Sequence, residues 1–249
     1  MGTEVLDLGA ELRAIAAKEA AVNIQPESIA RVQIQSGQMS IGGLPVVGNQ
    51  LICVVVAEMS ERRYFPGAWE PGSKDSPTCY SQTAVGLPTL PYNPQNAQSH
   101  FKPQAETCLT CKWDKYKTAD NAKGKKCSEH RHLMLLRAGA VKHDGEGGIR
   151  VALHKDLAHY QESALTKLSF TVTNLPAYRA YVQSIYANEN LPVFAVVTSI
   201  KLVPDPKYSY RAQFEYVKTL DIDMVKAVMQ RRDEAEGLLY SPYPEPSGA

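Results

Sequence analysis

Four cysteines carry the clearest chemistry in this chain. Their spacing is Cys79-x28-Cys108-x2-Cys111-x15-Cys127. A Cys-x2-Cys pair lets one tight turn present two thiolates to a tetrahedral ion, and a second pair from elsewhere closes the site. Here that second pair is Cys79 and Cys127, which are not adjacent in sequence. Four cysteine ligands leave no open coordination position, so the expected metal is one structural Zn2+ ion rather than a catalytic one. Neighbouring lysines are expected to favour the thiolate state. Four unrelated thiols, or two disulfides, are the competing reading of the same residues, and His100 and His130 are alternative ligands for one cysteine. The fifth cysteine, Cys53, sits inside an apolar run and reads as a buried core thiol.

Basic and aromatic residues interleave around these cysteines. Lys112, Trp113, Asp114, Lys115, Tyr116 and Lys117 follow the Cys-x2-Cys pair directly, and Lys123, Lys125 and Lys126 lead into Cys127. Arg62, Arg63, Tyr64 and Phe65 precede the cysteine-bearing stretch, with Trp69 just beyond. From Lys102 to Arg137 there are nine basic and four acidic residues, a local surplus of five in a chain whose net charge is only +1. Lysines neutralise phosphates, and exposed aromatic faces stack unpaired bases at about 1–3 kcal/mol per base. The expected nucleic-acid contacts are therefore Arg62, Arg63, Tyr64, Phe65, Lys112, Trp113, Lys115, Tyr116, Lys117, Lys123, Lys125 and Lys126. The same pattern also describes a solvated loop, with Trp113 and Trp69 covering the zinc cluster as its small core. Tyr208 and Tyr210, with Lys207 and Arg211, form a second candidate for the stacking role.

Catalytic patterns are poor. There is no Walker A loop, no dinucleotide glycine fingerprint and no Gly-x-Ser-x-Gly elbow. His130 and His132 lack a matching carboxylate set and read as surface or zinc-flanking residues. A non-enzymatic role is expected. Asp233, Glu234 and Glu236 give a C-terminal helix an acidic end, either a solvated face or a contact for replication or recombination proteins. No apolar run reaches the roughly 18 residues of a membrane span, and the N-terminus lacks a basic-then-apolar secretory pattern. The expectation is a soluble protein of the cytoplasm with no membrane contact.

The elements that must position these residues can be read from periodicity. Residues 1–27 form an N-terminal unit with a helix over 4–18. Residues 28–220 form the main domain, and 221–249 a C-terminal helix over 221–236 and a disordered tail. Alternation predicts a strand over 30–35, Gly42-Gly43 gives a turn, and the apolar run at Leu51–Ala57 lies in a long strand over 50–64. Residues 66–130 form a loop-rich insert, with seven prolines between Pro66 and Pro103. Such a stretch cannot bury a core of its own, so something must hold it. Strands are predicted over 132–137 and 149–153, joined by a turn at Asp144–Gly148, and over 167–173. A helix over 176–187 is capped by Asn174, and two strands over 193–202 and 208–219 follow. A helix before the last two strands is what a five-stranded OB barrel shows. The expected fold is mainly β with flanking helices (α+β): an OB-like barrel with a loop-rich zinc-binding insert.

The run from Tyr64 through Phe65, Pro66 and Gly67, followed by Cys79, Cys108, Cys111 and Gly124–Cys127, resembles the zinc-containing single-stranded DNA-binding proteins of tailed phages. The resemblance covers architecture and insert rather than full-length sequence. It implies an OB barrel with a zinc subdomain between strands, Cys79, Cys108, Cys111 and Cys127 as ligands, and a non-catalytic protein that coats single-stranded DNA in replication or recombination. It also implies a phage-encoded chain working in the host-cell cytoplasm. The pattern departs from the T-even proteins in having four cysteines where they include a histidine, and in lacking their long acidic tail. The alternative is a zinc-stapled protein-interaction module that binds a host polymerase or defence factor.

Overall fold

The computed structural model describes residues 29–67, 76–84, 101–121, 123–143, 149–240 and Tyr243. The expected N-terminal helix, Trp69, His100, the Asp144–Gly148 turn and all of the tail except Tyr243 lie outside the described residues. Among the described residues the fold is mainly β with four helices, and its sheet curls into an OB-like half-barrel.

Among the described residues nine strands make the main sheet. In chain order its strands are β1 (Ala30–Gln35), β2 (Gln38–Ile41), β3 (Leu44–Pro45), β4 (Gln50–Tyr64), β5 (Cys79–Ala84), β6 (Cys127–Arg137), β9 (Leu165–Thr171), β10 (Val196–Asp205) and β11 (Ser209–Thr219). Their spatial order is β11-β10-β4-β6-β9-β1-β2-β3, with β5 joined to β4. The β1–β9 contact is parallel. A separate hairpin pairs β7 (Gly139–His143) with β8 (Ile149–Leu153). The helices are α1 (Leu157–Glu162), α2 (Leu175–Glu189), α3 (Ile222–Gln230) and α4 (Arg232–Leu239).

Two apolar cores sandwich the middle of the sheet. Leu133 and Leu135 of β6 face a core built with Tyr178, Tyr181 and Ile185 of α2. Met134 and Leu136, the alternate residues, face a second core that includes Val228 of α3 and Leu239 of α4. Burial on both faces explains why these strands read as continuous apolar runs rather than alternating ones. A register shift between Val55 and Ala57 marks a bulge in β4. The bulge exchanges the faces of the strand beyond it, so Met59 continues the second core while Tyr64 turns to the other side.

Several local expectations change. The insert is held because Cys79–Ala84 is a strand of the main sheet, paired with Met59–Tyr64, and because β6 begins at Cys127. Asn174 occupies the helix N-cap position, yet its side chain makes no cap bond. Its Oδ1 instead accepts from the Ala212 amide of β11 at 2.9 Å. The expected single C-terminal helix is two, broken at Arg231, whose guanidinium bonds Glu234 at 3.0 Å and also reaches the Ser163 carbonyl. Among the described residues no helix is long and apolar enough to cross a membrane.

Candidate functional site

Strand register brings two of the four cysteines together. Tyr64 pairs with Cys79 on β5 and with Cys127 on β6. Directly opposite residues share a face, so Cys79, Tyr64 and Cys127 project to one side at the end of three adjacent strands. Cys108 and Cys111 arrive on a turn closed by a bond from the Cys111 amide to the Cys108 carbonyl at 3.3 Å. All four thiols are buried and free of disulfides, and they line one narrow cavity with Tyr64, Gln104 and Asp114. The Trp113 ring stacks on Tyr64 at 5.3 Å and 25°, and its indole N–H donates to Gln104 at 3.3 Å.

The donor set fits a closed tetrahedral zinc site in kind and number. Among the described residues no group of three or more His, Cys, Asp or Glu side chains is already arranged as a metal cage. A zinc site of this class owes its compactness to the ion itself. Burial raises the Cys79, Cys108 and Cys127 thiols, Cys127 to about 12, and the Arg62 charge opposes this at Cys108. His130 and His132 point away from the cysteines, because even-numbered and odd-numbered residues of β6 take opposite faces. Neither is a stand-in for a cysteine, and His132 is buried rather than at the surface.

The expected nucleic-acid residues divide into three groups. The first is structural. Tyr64 is 8% exposed beneath Trp113, and Arg62 ties the insert to the sheet through Asp114 at 3.4 Å and Glu129 at 3.9 Å. The second group lines one open groove of about 650 Å3: Arg63, Phe65, Lys125 and Lys126, with Ser128 and His130. Its cations are partly spoken for. Lys125 meets Asp114 at 2.9 Å, Lys126 meets Asp120, and Arg63 lies 3.4 Å from Glu61. The third group, Lys112, Lys115, Tyr116, Lys117 and Lys123, is solvent-exposed, with Tyr116 71% exposed. The Lys112 ammonium sits 4.6 Å from the centre of the Trp113 ring. No carboxylate pairs with Lys112, Lys115, Lys117 or Lys123 among the described residues.

The second stacking candidate approaches the first. Lys207 lies over the Tyr208 ring at 5.0 Å, and Tyr208, with smaller contributions from Asp205 and Tyr116, pushes its ammonium pKa up. Tyr208 and Tyr210 are both exposed, and the Tyr210 ring also lies over Gly37, where an added Cβ would come within 2.0 Å of it. Gly37 has φ +79°, so both conformation and space require glycine there.

Sequence reasoning missed a polar network on the sheet face opposite the cysteines. His132 bridges Ser169 at 2.6 Å and Glu61 at 2.7 Å. Glu61 also accepts from Gln82 at 3.2 Å and from Tyr243 at 2.9 Å. Burial works to raise the Glu61 carboxyl, but the His132 contact, the Arg63 charge and the Tyr243 hydroxyl outweigh it and hold it well below the usual range. Burial and the Arg63 charge push His130 down to about 3, and burial also depresses His132. Ionised Glu61 therefore accepts from the Nε2–H of a neutral His132, whose Nδ1 accepts from Ser169. This chain has the connectivity of a proton relay, with Ser169 exposed at its end. The signal was present as unbroken polar runs, Ser60–Arg63 and Ser128–His132, inside strands that are otherwise apolar. Comparison with protein-family models, with curated proteins and with solved structures finds no match to this chain.

Proposed function

We propose that this chain is a non-catalytic single-stranded DNA-binding protein, stapled by one structural zinc ion held by Cys79, Cys108, Cys111 and Cys127. It would cover unpaired DNA of the kind exposed in replication or recombination. One observation carries the reading: Arg63 and Phe65 from one sequence segment and Lys125 and Lys126 from another converge on a single open groove. Cations beside an aromatic face are the groups that track a phosphate backbone while a base stacks. The exposed Lys115, Tyr116 and Lys117 extend that surface over the zinc loop, toward Lys207 and Tyr208. Zinc supplies no reaction here. It would fix the loop that carries Lys112–Lys117 against the sheet end that carries Arg63 and Phe65.

The test is a fluorescence-anisotropy titration against matched single- and double-stranded oligonucleotides at low and moderate salt. Tight, salt-sensitive binding to single strands, with much weaker binding to duplex, is expected. Binding to neither would remove the nucleic-acid reading and favour a zinc-stapled interaction module.

A further inference from the structure

The groove opens onto a sheet face whose charge the proposed contacts do not use. Residues opposite one another in a ladder share a face. Arg63 pairs with Ser128, Glu61 with His130, His132 with Ser169, Met134 with Lys167, and Lys167 in turn with Arg31. Arg63, His130, His132, Lys167 and Arg31 thus mark a diagonal over β4, β6, β9 and β1, on the side away from the cysteines. With strands about 4.8 Å apart and about 3.4 Å per residue, the diagonal spans about 25 Å. The apolar cover on this face reaches Met59 and Met134. Beyond it Arg31, Ser169 and Thr171 are exposed and Lys167 is half-buried.

The charge along the diagonal is unbalanced. Arg31 and Arg63 both act on Lys167, with Glu61 as the opposing charge, and burial with the two arginines depresses the Lys167 ammonium. Glu61 is 2% exposed and committed to His132, Gln82 and Tyr243. The two histidines are neutral. A partly desolvated cluster of three cations beside one buried carboxylate is stabilised by an anion laid across it.

We propose that the phosphodiester backbone of bound single-stranded DNA continues from the groove across this sheet face, held by Arg63, Lys167 and Arg31. The inference rests on the single-stranded DNA reading and adds a second half to its path. It makes the sheet, and not only the zinc loop, a phosphate-binding surface.

The test compares the full-length chain with an Arg31→Gln/Lys167→Met variant and a Lys115→Ala/Lys117→Ala variant, titrated into labelled oligothymidylate over a salt series. Each phosphate contact on a single strand contributes about 0.7 to the slope of log affinity against log salt. Loss of Arg31 and Lys167 should flatten that slope by about 1.4 and weaken binding about tenfold at low salt. If Lys167→Met does not fold, Arg31→Glu alone, on an exposed side chain, should flatten the slope by about 0.7 or more. An unchanged slope and affinity in the sheet variants, with a loss in the loop variant, would overturn the sheet path and leave the groove standing. A wild-type chain that binds no oligothymidylate overturns both.

Discussion

The two halves of β4 and β6 are built on opposite principles. In the helix-covered half, Leu51–Ala57 and Leu133–Leu136 are almost wholly buried between two apolar cores. In the other half, Ser60–Tyr64 and Cys127–His132 carry Cys127, several ion pairs and the His–Glu network. The same backbone ladder runs through both. Apolar burial holds the first half without help, whereas the second buries charges and thiols that need partners to be tolerated. Fold and site are therefore adjacent regions of one sheet rather than separate domains, and perturbations should separate them.

The sharpest separation comes from the apolar half. Leu135 is 0% exposed, and Leu135→Ala should cost about 2–5 kcal/mol through lost burial and a cavity. Urea denaturation should show the whole sheet weakened. A cost below that of any site-end substitution would break the comparison.

Acid should attack the site end first. His130, His132 and Glu61 all have folded-state pKa values below their ordinary ones. Each contributes stability that is present above its unfolded pKa and lost as pH falls. The loss should begin below the ordinary histidine value of 6.5 and continue through the ordinary carboxylate value of 4.5 toward about 2 for Glu61. Its total should be on the order of 2 kcal/mol. Thermal midpoints against pH check this. Glu61→Gln should flatten the part below the carboxylate value, and a flat profile in the wild type would contradict the assignment.

How much of this was legible in the sequence follows the same division. The long strand ends at Gln50 and Tyr64 as read, because an apolar run passing into a polar run leaves a local signature. The Cys-x2-Cys turn, the lysines beside it and the OB-like class were also readable from local pattern. Hidden from that reading were facts of register. That Cys79, Tyr64 and Cys127 lie side by side depends on β5 joining the edge of β4, which no local preference dictates. That Tyr64 and Trp113 cover each other, and that Asp114 and Asp120 hold Arg62, Lys125 and Lys126, likewise depends on long-range pairing. The Glu61–His132–Ser169 chain needs three strands aligned at once. The helix break at Arg231 went unseen because arginine is a good helix former, and its buried contacts override that preference.

A smaller effect sharpens the contrast between groove and loop. Asp120 is largely exposed while Lys126 is largely buried, so their pair contributes at most about 1 kcal/mol to stability. Asp120→Asn should leave the urea midpoint nearly unchanged. It should raise single-stranded DNA affinity about two- to threefold by releasing Lys126 for phosphate. Anisotropy titration reads this directly, and weaker binding would place Lys126 outside the DNA path.

The central claim is that zinc at one end of the sheet organises the DNA-binding surface while the apolar half stands by itself. Cys108→Ser tests it most directly, with zinc content, urea midpoint and single-stranded DNA affinity measured on the same preparation. Expected are loss of the one bound zinc ion, DNA binding weakened about tenfold or more, and a urea midpoint close to wild type. Unimpaired DNA binding after confirmed zinc loss would contradict it.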